Sequence, residues 1–439
     1  MKAGFAQVDF TPLEGYMPGE FYPFYAFSTR CPLFASAAAL TSGDETVILI
    51  SVDVLSVERE TAAVMREQIS KATGVPVSHI IIAATHTHTG SSDHRVSGLC
   101  PAEPDTGAYT AKCIVEAGIA AWTDRREGAK IGAGRGEEKR MSFNRDCILD
   151  DGTIKSIPGA AAKDRIVGYL GKVDYDVFVM RIDGADGKPQ GFIVNYANHP
   201  DNNNTSRTRF SADFPGYLRQ NLKAAYGEDV TVLFLNGACG DVNAYNYKSG
   251  VSEPYASKDT YMPEEMGKLL FETVDGINKT VDASEAEPEI AAVSRLFTVK
   301  RRVPAEWEAA KAREALAKVA AGQRLPRVTL LKSRQIAAYN PYDADTTDFE
   351  MIAMRLGPWA IVTAPGELYT EIGLRIKAAS PFENTLICEQ ANDRAGYIVP
   401  DNVLGTTAYG GAYPSGRLGY GTADVMVNGA QDMLKTFKA

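Results

Sequence analysis

The chain has 439 residues, of which 45% are hydrophobic and 23% are charged, so it has enough apolar material for a large globular core. Its formal net charge of -9 argues against nucleic acid or an anionic membrane as a partner. No apolar run approaches the roughly 20 residues that a membrane-spanning helix needs.

The N-terminal stretch MKAGFAQVDFTP has one lysine and no apolar central segment. It therefore predicts the first strand of the fold rather than a secretion signal. The six cysteines are widely scattered, and no CxxC pair indicates a structural zinc site. We expect a reduced protein, located in the cytoplasm.

A β-α-β unit follows. ETVILISVDVL (residues 45–55) is rich in β-branched residues and predicts a strand, and SHIIIAAT (residues 78–85) predicts a second one. Between them, VERETAAVMREQISKATG has the apolar spacing of a helix and stops at Gly74. The two strands should therefore be parallel. AYTAKCIVEAGIAAWTDRR then predicts another amphipathic helix, followed by the strand AKIGAGRGE.

Two similar hairpins are predicted further along the chain. YDVFVMRIDGADGKPQGFIVNYANHP places two strands around an Asp-Gly-rich turn, and FEMIAMRLGPWAIVTAPGE repeats this plan around Gly357 and Pro358. In both, the second strand runs into a proline-containing turn with a potential metal ligand, His199 in the first and Glu367 in the second.

PAEWEAAKAREALAKVAAGQ predicts a solvated helix, and with its flanks we expect a helical insertion at about residues 300–335. GTADVMVNGAQDMLKTFK predicts a C-terminal helix. No low-complexity linker divides the chain, so we expect residues 1–439 to form one large mixed α/β domain. It should contain a mixed sheet, with a parallel β-α-β start, antiparallel hairpins and helices packed on the sheets.

AATHTHTG (residues 83–90) carries two of the five histidines in the chain, His86 and His88. If the strand continues through THTH, both side chains face the same side at its carboxyl end, where open α/β sheets bind ligands. Histidines at strand ends are also often ordinary hydrogen-bonded groups, so the pair by itself leaves both interpretations open.

A third histidine, His199, follows another apolar strand in NYANHP. Distant histidines at strand ends, together with a carboxylate, are typical of a catalytic zinc site with one open position for water. Zinc would lower the pKa of that water towards about 7 and so supply hydroxide at neutral pH. Spacing alone cannot choose a third ligand among 55 Asp and Glu residues.

LFLNGACGDVNAYN (residues 233–246) predicts a buried strand that enters a tight turn, whose N–H groups could face an oxyanion. Cys239 lies there in a setting loosely similar to a nucleophile elbow, although a buried thiol in a packed turn is the alternative. Arg394 and Arg207 are candidates for binding an anionic part of a substrate, or are surface residues. Asp93 and His94 are candidates for a second metal, or are polar loop groups.

Taken together, these segments resemble the catalytic domain of the neutral (non-lysosomal) ceramidase family. The motifs that carry the resemblance occur in order along most of the chain: AGFAQVDFTP, ATHTHTG, NYANHP, SADFPG, GACGDVN, APGELYTEIG, and GYIVP followed by AYGGAY. The resemblance implies a zinc amidohydrolase whose metal is bound by His86, His199, Glu367 and Tyr397.

The resemblance also implies a role for His88, which would stabilise the developing oxyanion or shuttle a proton. Asp213 in SADF and Asp241 in GACGD would orient the ligands or stabilise the fold. The family segment S-N-x-G-D-x-S-P-N carries a serine that is missing from NGACGDVNA, which argues against a serine nucleophile.

Other departures concern the substrate. HPDNNNTSRTR is more polar and basic than a lipid-binding rim, and the loop from Asp393 to Tyr413 keeps few of the family's side chains. The chain also ends soon after the last helix of the catalytic domain, so we expect no C-terminal β-sandwich. We therefore expect a small-molecule substrate with an acyl bond that is smaller or more polar than ceramide.

Three functions remain open. The first is a zinc-dependent hydrolase in which metal-bound hydroxide attacks the carbonyl of an amide. The second is a metal-free hydrolase or acyltransferase with Cys239 as its nucleophile. The third is a non-catalytic descendant that binds a sugar or a polar metabolite. The presence of all four candidate ligands favours the first.

Overall fold

The computed structural model describes residues 1–17, 24–91, 104–158, 160–202, 208–247, 262–339 and 345–438. Three of the candidate residues, Asp93, His94 and Arg207, lie outside the described residues.

The strands are β1 Lys2–Asp9, β2 Gly15–Met17, β3 Phe24–Ala26, β4 Ser28–Cys31, β5 Phe34–Ser42, β6 Glu45–Val52, β7 Ile80–Ala84, β8 Arg126–Glu127, β9 Lys130–Glu137, β10 Phe143–Asn144, β11 Asp146–Leu149, β12 Ile154–Ser156, β13 Ile166–Tyr169, β14 Asp176–Asp183, β15 Pro189–Tyr196, β16 Arg209–Ser211, β17 Thr231–Asn236, β18 Val242–Asn243, β19 Ile290–Lys300, β20 Thr346–Leu356, β21 Trp359–Thr363, β22 Glu367–Leu368, β23 Asn384–Cys388 and β24 Tyr397–Ile398. The helices are α1 Arg59–Thr73, α2 Pro104–Thr123, α3 Asp213–Tyr226, α4 Met262–Asn278, α5 Glu306–Ala320, α6 Arg327–Ala337, α7 Thr370–Ala379 and α8 Thr422–Lys435.

The first sheet has the strand order β7-β6-β5-β1-β8. Strands β6 and β7 pair in parallel with α1 between them, which confirms the predicted β-α-β unit. Helix α1 ends at Gly74, whose φ of 78° is in the left-handed region that glycine adopts without a steric penalty.

Two further four-stranded sheets contain the predicted hairpins. Their orders are β17-β15-β14-β9 and β19-β20-β21-β23. Strands β14 and β15 pair antiparallel, as do β20 and β21, which confirms both hairpins. The second strand of each hairpin then pairs in parallel with a later strand, β15 with β17 and β21 with β23. The carboxyl ends of these parallel strands are where the turns with His199 and Glu367 begin.

The three sheets share one apolar core. Leu49, Ile81, Ile193, Leu233 and Leu386, from β6, β7, β15, β17 and β23, belong to the same buried cluster. Buried polar contacts also join the sheets. For example, the Asn195 side chain donates to the carbonyls of Leu235 and Ile387, at 2.7 and 2.8 Å. These contacts bring the strand ends of different sheets together.

The helices cover the outer faces of the sheets. Apolar residues of α1 and α2 pack on the first sheet, those of α3 and α4 on the second, and those of α7 and α8 on the third. The chain is thus a mixed α/β domain, as predicted, although its strands form several sheets rather than one. None of the helices that the structure describes has the length and apolarity to span a membrane.

Helices α5 and α6 lie between β19 and β20, which pair directly with each other. This is where the sequence predicts a helical insertion. Helix α5 is anchored by Glu308, which is buried and accepts two hydrogen bonds of 2.9 Å from Arg302. Glu308 also accepts a hydrogen bond from the backbone N–H of Tyr413. This bond fixes the helical pair against the loop of residues 399–421 between β24 and α8, here called the C-terminal loop.

Candidate active site

His86 and His88 lie in a turn rather than in a strand. Strand β7 ends at Ala84 and His86 has a φ of 71°, so the condition that the strand continues through THTH is not met. The backbone N–H groups of Thr85 and His86 instead bond to the carbonyls of Val52 and Val54 on the neighbouring segment. The two imidazole rings nevertheless lie 5.0 Å apart and nearly perpendicular, so the turn brings them together.

The buried carboxylate of Asp53 stabilises this turn. It accepts hydrogen bonds from the Thr85 hydroxyl at 3.3 Å, from the Phe34 N–H at 2.9 Å and from Arg219 at 2.6 Å. A positive φ is unfavourable for a histidine and persists only where the surroundings fix it. The Asp53 contacts supply that constraint next to His86.

His199 joins the two histidines from another sheet. Its ring lies 4.9 Å from that of His86 and 5.8 Å from that of His88, and its side chain is fully buried. Its Nδ1 lies 2.9 and 3.0 Å from the carbonyl oxygens of Cys239 and Val242. Since carbonyls only accept hydrogen bonds, Nδ1 carries the proton and Nε2 keeps its lone pair.

The Nδ1 atom of His86 also carries a proton, because its neighbour is a carbonyl oxygen. Its Nδ1 donates to the Leu55 carbonyl at 2.7 Å, while its buried Nε2 has no hydrogen-bond partner. Metal-binding histidines commonly donate their second nitrogen to a backbone carbonyl in this way. Both histidines therefore present Nε2 as a donor atom for a metal ion.

Asp213 positions the loop that carries His199. Its carboxylate accepts from the N–H and the side-chain amide of Asn202, at 2.9 and 3.3 Å, and the same amide donates to the His199 carbonyl at 3.0 Å. Asp213 also accepts from the N–H of Phe214 at the start of α3. Asp213 therefore holds the backbone of this loop in place through Asn202.

Glu367 and Tyr397 meet in a short parallel pair, because β22 and β24 place them directly opposite each other. Glu367 Oε2 lies 3.2 Å from His199 Nε2 and 3.5 Å from His86 Nε2. Burial by itself would raise the pKa of Glu367, but the two histidines offset this and hold that pKa well below its usual range. Glu367 is therefore a carboxylate.

The Tyr397 hydroxyl accepts a hydrogen bond of 2.8 Å from Arg145. Arg145 is buried, donates to the Gly240 carbonyl at 2.7 Å and lies 3.5 Å from His199 Nε2. Burial raises the pKa of Tyr397 well above its usual range, although the charge of Arg145 opposes this. The sequence gives no signal for Arg145, because the segment SFNRDC that contains it has no motif. Arg145 reaches the site only through the fold.

The structure thus brings all five predicted site residues to one place. The donor atoms of His86, His88 and His199 lie within 4.8 Å of one another and form a group that could hold a metal ion. The Glu367 carboxylate lies against two of these imidazoles. Imidazoles with a carboxylate suit zinc, and so does the buried, unpartnered Nε2 of His86.

The pKa values of the three imidazoles are shifted in different directions. Burial would lower the pKa of His86, but the charge of Glu367 outweighs burial and raises it. Burial, followed by the charges of His86 and His199, lowers the pKa of His88 well below its usual value. Burial, followed by the charge of Arg145, lowers the pKa of His199 to about 4. Both are therefore neutral near pH 7, which is the state in which an imidazole binds a metal or accepts a proton.

Cys239 is a buried thiol whose Sγ donates to Glu389 Oε1 at 2.9 Å. Burial, followed by the charge of Glu389, raises its pKa well above the usual value, and a thiolate is the form that acts as a nucleophile. Its Sγ also lies 3.3 Å from His199 Nδ1, but that nitrogen donates its proton to backbone carbonyls and has no lone pair to accept the thiol proton. The raised pKa and this proton placement favour the packed-turn interpretation of Cys239 over the nucleophile elbow.

Glu389 is a residue that sequence reasoning missed, because it lies within the apolar run TLICEQ. It is fully buried and accepts the N–H groups of Cys239 and Leu368, at 3.1 and 2.8 Å. Burial raises its pKa to about 7. It joins the GACG turn to the strand that starts at Glu367.

Asp241 has a structural role. Its carboxylate accepts from the N–H and hydroxyl of Thr370, both at 2.8 Å, and from the Asn144 amide at 2.7 Å. Burial raises its pKa from 3.8 to about 6, although these hydrogen bonds lower it in part. It therefore fixes α7 to the GACG turn without contacting the histidines.

This shift predicts how stability depends on pH. Because the pKa of Asp241 is about 6 in the folded protein and 3.8 when unfolded, the folded state holds the extra proton between these values. Relative to Asp241→Asn, the free energy of unfolding of the wild type should fall as pH rises from 4 to 6, by about 3 kcal/mol, and then stay level. Urea unfolding of both proteins between pH 4 and 7 measures this difference, and curves that run parallel would contradict it.

A cavity of about 160 Å³ opens above the histidines. Its floor includes His86, His88, Glu367 and Tyr397. Its walls are formed by the C-terminal loop and by α6, and they carry the charged groups Lys332, Arg394 and Arg417. Of the two interpretations of Arg394, substrate-binding candidate or surface residue, its place in the cavity lining favours the first.

Two solved structures share this fold along the whole chain. One, described as "Ceramidase complexed with C2", has a TM-score of 0.74 and 16% identity, covering 100% of this chain and 75% of the other. The other, neutral ceramidase from Pseudomonas aeruginosa, has a TM-score of 0.71 and 17% identity, with coverage of 100% and 74%. No protein-family model and no curated protein sequence matches the chain. The fold of this chain is that of the neutral ceramidases, as the order of its motifs predicted.

Proposed function

We propose that the protein is a zinc-dependent hydrolase that cleaves an amide bond in a substrate smaller or more polar than ceramide. The main support is the convergence of the Nε2 atoms of His86 and His199 on the Glu367 carboxylate at the floor of a cavity. The solved structures with this fold are described as ceramidases, which are enzymes that act on an amide bond.

The ligands we propose are His86, His199, Glu367 and Tyr397. Zinc held by them would polarise the carbonyl oxygen of the substrate and make a bound water more acidic. Both imidazoles would bind the metal in their neutral form, so His86, whose pKa is raised by Glu367, would release its extra proton when the metal binds. Glu367 contributes a negative charge that balances part of the charge of the metal. Tyr397 would have to lose its proton to bind as phenolate, and the adjacent Arg145 guanidinium favours that charge.

His88 has a separate role in this proposal. It lines the cavity next to the ligands, and its lowered pKa keeps it neutral near pH 7. A neutral imidazole has one N–H that stabilises negative charge on the substrate oxygen and one lone pair that accepts a proton. His88 can therefore hold a proton and deliver it to the leaving nitrogen.

Metal removal tests the proposal against the cysteine mechanism. Dialysis against a chelator should abolish hydrolysis of N-acyl amines, and one equivalent of zinc should restore it. Cys239→Ala should retain its activity within about tenfold, because the thiol does not line the cavity and the substitution keeps the Cys239 and Val242 carbonyls that orient His199. Elemental analysis measures the bound zinc alongside the rates.

Two other outcomes would count against the zinc hydrolase. Activity that survives the chelator but is lost in Cys239→Ala would favour the cysteine mechanism. Carefully purified protein without near-stoichiometric zinc, and without activity when zinc is added, would favour the non-catalytic binding protein.

A further inference from the structure

We propose that the cavity binds a carboxylate group of the amide substrate, and that Arg394 and Arg417 form the binding site for it. This inference rests on the proposed function, because it names the class of amide that the zinc site would receive. The substrate would then be an N-acyl amino acid or another amide with a free carboxylate on its amine part.

The charge of the cavity differs in sign from that of the chain. The protein has a net charge of -9, yet four of the described residues that line the cavity are cations: Arg145, Lys332, Arg394 and Arg417. The carboxylate among these lining residues is Glu367, which is already paired with two histidines. A bound zinc ion would make the cavity still more positive, and a concave positive site attracts anions.

Arg394 and Arg417 are close enough to affect each other. Enclosure in the cavity wall, followed by the charge of Arg394, lowers the pKa of Arg417. One carboxylate, Glu58, bonds Arg394 at 3.1 Å. In the part of the chain that the structure describes, no carboxylate lies within ion-pair distance of Arg417, whose Nε donates to the Pro414 carbonyl at 3.2 Å. The pair thus carries excess positive charge, and its guanidinium groups suit a carboxylate.

A buried polar group in the same cavity independently indicates a ligand. Gln390 lines the cavity with only 2% of its surface exposed, and its Oε1 has no hydrogen-bond partner. An unpartnered polar atom in the interior is costly, so its partner is expected to be a ligand. The backbone φ of Gln390 is 54°, a conformation maintained by its bonds to Ala84 and Gly366. The oxygen can accept a hydrogen bond from the N–H of a substrate amide in the cavity.

The test compares two substrates that differ in charge. Hexanoylglycine and its neutral analogue hexanoylglycinamide share the scissile amide, and kcat/KM is measured for both with the zinc-loaded protein. We expect the carboxylate to be preferred by about 10- to 100-fold, as for hydrogen bonds to a charged group. This ratio should fall towards one in Arg394→Gln and Arg417→Gln, and as salt is raised.

Arg334→Gln is the matched control, because Arg334 is exposed on α6 and does not line the cavity. It should keep the ratio of the wild type. Equal rates on the two substrates, or a preference unchanged in Arg394→Gln and Arg417→Gln, would overturn the carboxylate site and leave the amide hydrolase intact.

Calorimetric titration of hexanoylglycine separates the remaining outcomes. If neither substrate is hydrolysed but hexanoylglycine binds, and Arg394→Gln or Arg417→Gln weakens this binding, the carboxylate site stands and the proposed hydrolase fails. If the protein neither hydrolyses the pair nor binds hexanoylglycine, both proposals fail. Binding that both variants retain would indicate direct coordination to the metal and would also overturn the carboxylate site.

Discussion

Replacing His86 with alanine is expected to remove zinc, whereas replacing His88 with alanine should leave zinc bound and lower kcat by about 10²- to 10⁴-fold. The two histidines lie two residues apart, but their proposed roles differ. The Nδ1 of His86 donates to the Leu55 carbonyl. Its Nε2 makes no hydrogen bond and lies 3.5 Å from the Glu367 carboxylate. Elemental analysis and steady-state kinetics on both variants measure the two effects separately.

His79→Ala is the control for both variants, because His79 bonds Glu45 at 3.1 Å and does not line the cavity. It should keep both zinc and turnover. Loss of zinc in His88→Ala would assign His88 to the metal, as the three-histidine group in the structure would also allow. Full zinc in both variants would mean that the metal is not bound at this turn.

Glu367→Gln is expected to weaken zinc binding by more than about 100-fold, the upper range for losing a group that only orients a ligand. The substitution removes the negative charge next to His86 and His199 while keeping almost the same shape. The imidazoles and the metal would then face an uncharged amide, and less zinc should be bound. Hydrolysis should fall in step with the fraction of protein that holds zinc. Competition with a fluorescent zinc chelator measures the affinity.

Glu371→Gln provides the control, since Glu371 is exposed in the first turn of α7 and lies four residues along the chain. It should bind zinc as tightly as the wild type does. A Glu367→Gln variant with unchanged zinc affinity would show that Glu367 is not a ligand, whatever its effect on turnover.

Much of the architecture could be predicted from local patterns. The β-α-β unit and both hairpins follow from apolar periodicity and from turn residues, which act over short stretches of chain. Whether β7 continues through THTH could not be predicted in this way. The strand ends at Ala84, and the N–H groups of Thr85 and His86 bond the carbonyls of Val52 and Val54. Long-range bonds of this kind leave no trace in local periodicity.

The residues by themselves made His86, His88, His199 and Glu367 candidates, because five histidines in 439 residues are few enough for position to be informative. The resemblance to the neutral ceramidases added Tyr397 and implied a role for each of the five. What those motifs could not determine was distance. Glu367 comes 168 residues after His199, yet their side chains lie 3.2 Å apart.

The tertiary structure decided which other groups complete the site. Arg145 and Glu389 lie in segments without any motif, and they become part of the site because sheet packing buries them beside Tyr397 and Cys239. The charge of the cavity was decided in the same way, since α6 and the C-terminal loop bring Lys332 and Arg417 to one wall of an acidic protein. Electrostatic interactions and burial depend on distances in space, so the sequence could supply the candidate ligands, and only the fold could place the charges around them.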